Sequence, residues 1–403
     1  MQAVILAAGE STRTRPLTET KPKPLLTAAN KAILGHQLDM LERKGVKDMV
    51  IIVGHFKEKI IDHCQKYHSQ LNIKFVEQVK RNGTAATVAL AEPYINSDFI
   101  VLNGDIYFDE YALDLLIGKY NQTKDSVIVA KTVEHPEFFG NLRVKDDLIL
   151  ELVEKPEQPF TNLINAGIYL FKKQIFDAIR KTSLSTRGEY EITDSINIMI
   201  NEGKNFRYVN FDGFFQDITY PWSILDINQH LLEQMQGDDL RGMVEAGATI
   251  KGNVKIGEGT LIKAGAYIEG PVVIGMNCNI GPNCYIRPGT SIANNCVVGN
   301  GCEVKNSIIM DNTHIAHLCY VGDSVLSENV NFAGGTITAN LRHDNENVKS
   351  EIKGRIVDSG RRKLGTIVGE DAKTGIHTII YPGRKIWPKR TTLPGQSVTE
   401  DII

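Results

Sequence analysis

The chain has 403 residues, 42% of them hydrophobic, and a formal net charge of −3. This length favours two domains over one, and the slightly acidic net charge gives no electrostatic indication of nucleic-acid binding. No apolar run is long enough to cross a membrane, and the first residues lack the basic segment of a signal peptide. We therefore expect a cytoplasmic protein that binds neither nucleic acid nor membrane and keeps its six cysteines reduced.

The first predicted element is a short buried strand over residues 3–6, which runs into a loop. We call it the two-cation loop after Arg13 and Lys23, which lie ten residues apart in it. The loop reads Leu6-Ala7-Ala8-Gly9-Glu10-Ser11-Thr12-Arg13 and continues, after Pro16-Leu17-Thr18, into Lys21-Pro22-Lys23-Pro24-Leu25. A loop between a strand and a helix can point backbone N–H groups at phosphate, and Arg13 and Lys23 add positive charge that suits a polyphosphate. We take Leu6, Ala8 and Gly9 as nucleotide-binding candidates and Arg13 and Lys23 as catalytic candidates. The alternative is an ordinary strand-to-helix turn with basic residues on its surface.

The order Ala-Ala-Gly-x-Ser-Thr-Arg, followed by Lys-Pro-Lys-Pro-Leu, resembles the signature of sugar-1-phosphate nucleotidyltransferases. Ser11 stands where many members of that family carry a second glycine. The resemblance implies that a sugar-1-phosphate oxygen attacks the α-phosphorus of a nucleoside triphosphate and that pyrophosphate leaves. Such a reaction needs no covalent enzyme intermediate, so catalysis consists of positioning and charge neutralisation.

Apolar runs typical of strands recur along the first half of the chain, at residues 49–53, 73–76, 99–102 and 127–130, with helical patterns at 57–67 and 84–92 between them. This alternation predicts a Rossmann-like α/β domain with a mostly parallel sheet covered by helices. Functional sites in such sheets gather at the carboxyl ends of the strands. We assign residues 1–228 to this nucleotidyltransferase domain and residues 229–246 to a linker helix.

The base-reading candidates lie after the predicted strand that ends near Glu77. Gln78 closes this strand, and Gly83 and Thr84 form a small-residue turn that opens a helix. In the resembled family the matching glutamine and Gly-Thr pair contact a pyrimidine base, which implies the same role for these three residues. The alternative for Thr84 is that its hydroxyl caps the helix.

Two aspartates are the candidates for a metal site. Asp105 lies just past a predicted buried strand, in Asn103-Gly104-Asp105, and a single carboxylate beside substrate phosphates is a usual ligand for Mg²⁺. Asp217 lies in Phe215-Gln-Asp217-Ile-Thr-Tyr-Pro-Trp222, which resembles the Trp-x-Asp-x-x-x-Pro segment of the same family, and implies a second ligand. Asp212 and Asp226 compete with Asp217 for this role.

Three segments between these aspartates resemble the sugar-contacting segments of the family: Phe139-Gly140-Asn141, Val153-Glu154-Lys155-Pro156 and Asn165-Ala166-Gly167. The resemblance implies sugar-binding roles for Gly140, Glu154 and Asn165.

The second half of the chain repeats an aliphatic residue every six positions: Ile250, Ile256, Ile262, Ile268, Ile274, Ile280, Ile286, Ile292, Val298 and Val304. This period fits neither a helix nor a hairpin sheet, and it predicts a parallel β-helix of hexapeptide repeats over residues 247–403. The resemblance to hexapeptide-repeat proteins adds that the helix winds left-handed and that the protein is a homotrimer. The repeat slips near Met310 and breaks over residues 341–365, so we expect a projecting loop there.

Four cysteines share one slot of this repeat, four residues after the aliphatic position: Cys278, Cys284, Cys296 and Cys302. Val254, Thr260, Ala266 and Thr290 occupy the same slot in other repeats. The period therefore predicts small side chains that face inward rather than a zinc site, which needs cysteine pairs at closer spacing.

At the slip, Ala316-His317-Leu318-Cys319-Tyr320 and the run from Asn331 to Asn340 resemble the acetyltransferase half of bifunctional glucosamine-1-phosphate acetyltransferase/N-acetylglucosamine-1-phosphate uridylyltransferases, with the shorter archaeal members as the nearer match. The resemblance implies that His317 is the general base that accepts a proton from the sugar amine, a role that suits histidine at neutral pH. It also implies that Arg287 and Lys305 hold the sugar phosphate. By the same resemblance Tyr320, Asn331 and Asn340 line the site, and acetyl-CoA lies along the coils. A surface role for His317, with His314 only three residues away, is the alternative.

Three functions remain open from the sequence. The first is a two-site enzyme that acetylates glucosamine-1-phosphate and then transfers a uridylyl group from UTP to the product. The second is a single-activity glucose-1-phosphate thymidylyl- or uridylyltransferase, using dTTP or UTP, whose β-helix only assembles the oligomer. The third is a non-catalytic assembly subunit, which the joint presence of Arg13, Lys23 and Asp105 argues against.

Overall fold

The computed structural model of the chain describes residues 1–80 and 82–403. These residues form two compact units, of which the first contains Met1–Glu10, Pro22–Leu25 and Ile33–Asp217. The second contains Ser11–Lys21, Leu26–Ala32 and Ile218–Ile403. The two-cation loop is therefore divided, because Arg13 belongs to the second unit and Lys23 to the first.

The strands up to residue 217 are β1 (Gln2–Ala7), β2 (Thr27–Ala28), β3 (Lys31–Ala32), β4 (Asp48–Val53), β5 (Asn72–Glu77), β6 (Phe99–Asn103), β7 (Ile106–Phe108), β8 (Ser126–Thr132), β9 (Gly140–Lys145), β10 (Leu148–Glu154), β11 (Leu163–Phe171), β12 (Phe206–Asn210) and β13 (Phe215–Asp217). The helices are α1 (Ile33–Arg43), α2 (Lys57–Tyr67), α3 (Thr84–Ala89), α4 (Tyr111–Thr123), α5 (Ile175–Lys181), α6 (Ile192–Asn201) and α7 (Ser223–Glu233). None of the helices in the described part of the chain is both long and apolar enough to cross a bilayer.

The first unit is built on a nine-stranded sheet in the order β5-β4-β1-β6-β11-β8-β12-β10-β9. The predicted parallel arrangement is confirmed for β5, β4, β1 and β6, and β12 is parallel to β8. The other neighbours pair antiparallel, and β9 and β10 do so because a two-residue connection cannot lead into a parallel strand.

Both faces of this sheet are covered. Along β1, Ala3 and Ile5 pack into one apolar cluster together with Leu34 and Leu38 of α1, while Val4 packs into another with Ile196 of α6. Alternate side chains of a strand point to opposite faces, so burial on both faces explains the uninterrupted apolar run. Because β1, β4 and β6 are parallel, their carboxyl ends lie at one edge of the sheet.

The later strands are β14 (Asp239–Leu240), β15 (Met243–Val244), β16 (Thr249–Lys251), β17 (Val254–Ile256), β18 (Leu261–Ile262), β19 (Tyr267–Glu269), β20 (Val272–Ile274), β21 (Asn279–Ile280), β22 (Tyr285–Ile286), β23 (Thr290–Ile292), β24 (Val297–Asn300), β25 (Glu303–Lys305), β26 (Ile308–Ile309), β27 (His314–His317), β28 (Tyr320–Gly322), β29 (Val325–Leu326), β30 (Asn331–Phe332), β31 (Ile337–Thr338), β32 (Lys349–Ile352), β33 (Arg355–Asp358), β34 (Ile367–Val368), β35 (Ile379–Ile380), β36 (Lys385–Ile386) and β37 (Ser397–Val398). All of these except β32 and β33 stack into three parallel sheets.

The predicted parallel β-helix is confirmed by the register of these strands. Ile256 pairs with Ile274, which lies 18 residues on, whereas Ile292 pairs with Ile309, which lies 17 residues on. The coils that follow the slip near Met310, up to the break, are therefore one residue shorter than those before it. The aliphatic residues of the repeat line one core. The cysteines of the second slot are also inside this core and are free thiols, with Cys278 and Cys296 at most 2% exposed.

The break in the repeat is an antiparallel hairpin of β32 and β33, after which Ile380 stacks directly on Thr338. At the other end of the β-helix, the helix observed near the predicted linker is α7, which ends at Glu233, and β14 already pairs with β17. Gly237 adopts φ +68°, a conformation that a helix cannot contain, so the chain turns there and enters its first coil before residue 247.

Candidate active sites

The nucleotide-binding candidates of the first loop lie where three parallel strands end. Gly104 N donates to Leu6 O at 3.0 Å, and a Cβ on Gly104 would lie only 2.8 Å from that oxygen. A Cβ on Gly54 would lie 2.7 Å from Ala8 O. Glycines after β4 and β6 therefore allow the backbone after β1 to pack closely, and Gly9 is exposed just beyond it.

Lys23 and Asp105 form an ion pair in the first unit. The buried Lys23 ammonium donates to Asp105 Oδ2 at 2.7 Å, and the Asp105 side chain keeps 38% exposure. Asp217, the last residue of β13, pairs with Ile106, the first residue of β7, and Asp105 lies in the turn directly before Ile106. Within the described residues, no group of three or more histidine, cysteine, aspartate or glutamate side chains could hold a metal ion. Mg²⁺ is commonly bound by one or two carboxylates together with substrate oxygens and water.

Arg13 lies in the second unit, on a single turn at Thr12–Thr14, and its side chain is exposed. Ser11 O accepts hydrogen bonds from the hydroxyls of Thr14 and Thr18, each at 2.7 Å. The two hydroxyls also lie 3.0 Å apart. This buried threonine pair fixes the turn that carries Arg13.

The three base-reading candidates meet around the start of α3. Gln78 Nε2 donates to Thr87 Oγ1 at 2.8 Å, and Thr87 Oγ1 in turn donates to Gly83 O at 2.9 Å. Thr84 Oγ1 accepts from the backbone N–H of Ile192, the first residue of α6, at 2.9 Å. Its hydroxyl therefore serves the N-terminus of another helix rather than that of its own.

The three sugar-binding candidates also lie together. Gly140 pairs with Glu154 across β9 and β10, and a Cβ on Gly140 would lie 3.1 Å from Glu154 Oε2 and 3.5 Å from Asn165 Cβ. Asn165 Nδ2 donates to Tyr169 OH at 2.7 Å, which fixes the amide. Burial raises the pKa of Glu154, although the charges of Lys155 and Arg187 act in the opposite direction.

In the β-helix, the Asp323 carboxylate contacts two of the acetyltransferase candidates, Lys305 and Asn340, and also Asn306. Its carboxylate accepts from Asn340 Nδ2 at 2.5 Å and from Asn306 Nδ2 at 2.7 Å, and Lys305 Nζ lies at 3.4 Å. Asn340 Nδ2 also donates to Tyr320 OH at 3.1 Å. This polar cluster of Lys305, Asp323, Asn340 and Tyr320 lies along the sheet that contains β25, β28 and β31.

The remaining acetyltransferase candidates are not in this polar cluster. Arg287 pairs with Glu303 at 2.8 Å, and its guanidinium lies 5.5 Å from the Tyr285 ring centroid. His317 is exposed at the end of β27, on a different sheet from Tyr320, and Asn331 stacks on His314 rather than on His317. One chain thus offers the predicted base and the predicted phosphate ligands on two adjacent faces of the β-helix.

The structure adds residues to this region that motif reasoning had not assigned. A cavity of about 500 Å³ in the second unit is lined by Asp226, Asp323, Ser359, Gly360, Arg361, Arg362 and Lys363. Arg361 forms an ion pair with Asp226 of α7, so Asp226, a competing metal candidate, serves the β-helix unit instead. The basic triplet was visible in the sequence, but only the fold brings it to Asp323.

Comparison with known proteins finds two families along the chain. Residues 2–234 match the nucleotidyl transferase family, and residues 268–401 match the GMPPB C-terminal domain family. A "Bifunctional protein GlmU" of Methanocaldococcus jannaschii is 45% identical over 96% of this chain and 92% of its own length. A "Bifunctional sugar-1-phosphate nucleotidylyltransferase/acetyltransferase" of Sulfurisphaera tokodaii is 38% identical over 100% of this chain and 98% of its own.

Solved structures resemble part of the chain. A Bacillus anthracis protein assigned as a glucose-1-phosphate thymidylyltransferase superposes with a TM-score of 0.53 at 26% identity, over 59% of this chain and 96% of its own.

Proposed function

Since the chain belongs to the GlmU family of bifunctional sugar-1-phosphate nucleotidyltransferase/acetyltransferases, we propose that it performs the last two steps of UDP-N-acetylglucosamine synthesis. Residues 247–403 transfer an acetyl group from acetyl-CoA to glucosamine-1-phosphate. Residues 1–228 then transfer a uridylyl group from UTP to N-acetylglucosamine-1-phosphate and release pyrophosphate. The observation that carries this proposal is the presence of two separate polar sites, one at Lys23 and Asp105 and the other around Asp323.

In the first reaction site, Lys23 and Arg13 neutralise the charge that develops on the triphosphate, and the backbone of Leu6, Ala8 and Gly9 binds its phosphates. Asp105 and Asp217 fit Mg²⁺, because one carboxylate in the turn before β7 and one at the end of the paired strand β13 leave coordination positions for phosphate oxygens and water. When bound, this ion supplies further charge neutralisation and orients the phosphates.

Two groups of residues recognise the substrates of that domain: the base-reading candidates and the sugar-binding candidates. Gln78, Gly83 and Thr84 read the uracil ring. The hydrogen bonds of Gln78 and Gly83 to Thr87, and that of Thr84 to the first residue of α6, fix them before the nucleotide arrives. Gly140, Glu154 and Asn165 contact the sugar. Because Gly140 has no Cβ, the space beside Glu154 Oε2 and Asn165 Cβ stays open.

In the β-helix, His317 accepts a proton from the amine of glucosamine-1-phosphate as the amine nitrogen attacks the thioester carbonyl of acetyl-CoA. The new C–N bond replaces the C–S bond, and the departing sulfur takes up a proton to give free CoA. Arg287 and Lys305 bind the sugar phosphate, and Tyr320, Asn331 and Asn340 line the site. Arg362 and Lys363 of the cavity lining are available to the phosphates of CoA, whereas Arg361 is paired with Asp226.

The same family membership supports the wider assignment. The protein is a homotrimer with a left-handed β-helix, and it works in the cytoplasm on small substrates. A trimer would let the β27 face of one chain complete the polar cluster of another. Sedimentation of the full chain measures this state directly.

The nucleotidyl transfer is tested by pyrophosphate release from UTP and dTTP with a panel of sugar-1-phosphates. We expect the highest rate with UTP and N-acetylglucosamine-1-phosphate, and its loss in Lys23→Met and in Asp105→Asn. Lys31→Met, an exposed lysine of the same region, is the matched control. Near-normal turnover in Lys23→Met would remove Lys23 from the mechanism, and a preference for glucose-1-phosphate would contradict the substrate assignment.

The acetyl transfer is tested by thiol release from acetyl-CoA in the presence of glucosamine-1-phosphate. His317→Ala is expected to abolish it, whereas His314→Ala, an exposed histidine of the same strand, leaves it in place. If the intact chain releases no thiol, the β-helix has only an assembly role. If His314→Ala alone is inactive, the base has been assigned to the wrong residue.

A further inference from the structure

The parts of the two-cation loop on both sides of Lys23 belong to the same unit as the β-helix. Its parts Ser11–Lys21 and Leu26–Ala32 belong to the second unit, together with the β-helix, and only Pro22–Leu25 belongs to the first. The contacts of these flanking parts are specific and buried, and they identify residues of the β-helix that no motif of nucleotidyl transfer includes.

The first anchor is the side chain of Lys21. Its ammonium forms an ion pair with Glu328, the corner residue after β29, and donates to Met310 Sδ at 3.4 Å. The Lys21 side chain is only 7% exposed and that of Glu328 is 26% exposed. An ammonium withdrawn this far from water needs an opposite charge, so Glu328 fixes where Lys21 can lie.

The second anchor lies on the other side of Lys23. Ala29 N donates to Asn228 Oδ1 at 2.8 Å, and Asn30 Nδ2 donates to Ile292 O at 2.6 Å. Asn228 is fully buried, and its amide is hydrogen-bonded on both sides. Its Nδ2 donates to Gly289 O at 2.9 Å, and its Oδ1 also accepts from Ser291 Oγ at 2.7 Å. All three residues of β23 are buried, which agrees with cover on both faces of this strand.

The step from Lys21 to Lys23 is short and stiff. Pro22 separates the two lysines and Pro24 follows, and each proline fixes its own φ angle and restricts the residue before it. A shift of the Lys21 backbone is therefore passed on to Lys23, whose ammonium must meet Asp105 at 2.7 Å.

We propose that Glu328 of the β-helix is a positioning residue for nucleotidyl transfer, acting through Lys21 on Lys23. This inference rests on the proposed nucleotidyl transfer at Lys23. Glu328 itself touches no substrate.

The experiment compares Glu328→Gln, Lys21→Met and the double variant in the full-length chain, measuring pyrophosphate release, thiol release and the thermal midpoint. We expect kcat for nucleotidyl transfer to fall by about 10- to 100-fold, since a displacement near 1 Å has an effect of this order. The KM for the sugar-1-phosphate and the rate of acetyl transfer stay at their wild-type values. The double variant is no slower than either single variant, because both changes remove one interaction.

Glu370→Gln is the matched control, since Glu370 lies one coil further on in the same column and Leu326 stacks on Val368 there. If Glu328→Gln does not fold, Lys21→Met/Glu328→Leu removes both charges together, and the same loss of kcat is expected. Wild-type kcat in these variants, or an equal loss of both activities, would overturn the proposal. Absence of pyrophosphate release in the intact chain would instead refute the proposed function on which it rests.

Discussion

Replacing Asp323 by asparagine tests whether the polar cluster in the β-helix is an organised site. Asp323 is 3% exposed and adopts φ +51°, a conformation that asparagine also tolerates. The change therefore keeps the backbone and nearly the shape of the side chain. It replaces one acceptor oxygen by an NH₂ group, which then faces the donors Asn340 Nδ2 and Lys305 Nζ.

The magnitude follows from the bonds that are lost. A hydrogen bond to a charged group contributes about 1.5–3 kcal/mol, and Asn306 can still donate to the remaining oxygen. If the loss falls on the transition state of acetyl transfer, kcat/KM decreases by about 10- to 150-fold. We expect this decrease in the thiol-release assay, together with a lower thermal midpoint and unchanged pyrophosphate release.

Asp371→Asn is the control for this change, because Asp371 has φ +61° at a different corner of the β-helix. It should leave both activities in place. Wild-type acetyl transfer in Asp323→Asn would show that the carboxylate does not organise Lys305 and Asn340, and the geometric reasoning would fail.

Three further changes test other parts of the structure. Gly83→Ala places a methyl group 2.4 Å from Tyr190 O at φ +109°, so denaturant titration should show a loss of about 1–3 kcal/mol and the KM for UTP should rise. Gly365→Ala meets Gly322 O at 2.1 Å, and we expect about 1–3 kcal/mol of destabilisation with loss of thiol release. Because burial holds the pKa of Glu154 above its ordinary 4.5, the folded state binds the proton more tightly, and wild-type stability falls as pH rises from 4.5 through the raised pKa. Glu154→Gln removes the part of this decline that Glu154 contributes, while Glu191 and Asp194, whose pKa values burial also raises, keep theirs. Urea midpoints measured across that pH range should therefore be flatter in the variant, and parallel curves would refute the assignment.

The sequence was most informative where structure depends on a local period. The six-residue repeat placed Ile256, Ile274 and Cys296 inside the β-helix, because one slot of each repeat must face the core in every coil. Alternation of strands and helices likewise predicted β4 and α2 within a residue of their ends. The antiparallel strands after α4 were less visible, since their pairing depends on short turns rather than on apolar runs.

The polar contacts that define the sites could not be predicted in the same way. Asp323 and Asn340 lie 17 residues apart, and their hydrogen bond depends on the shorter coils after the slip. The pairing of Arg361 with Asp226 spans 135 residues and depends on where the interruption of the β-helix returns to it. Such contacts are set by the register of the whole solenoid, which no local pattern specifies.

The partnership of Lys21 with Glu328 also has a consequence for the nascent chain, because the two residues are 307 positions apart. At ~5–20 residues per second, a ribosome needs about 15–60 s to make that stretch. Lys21 therefore leaves the ribosome well before Glu328 has been synthesised. The N-terminal loop, although it is made first, is among the last segments to form its final contacts.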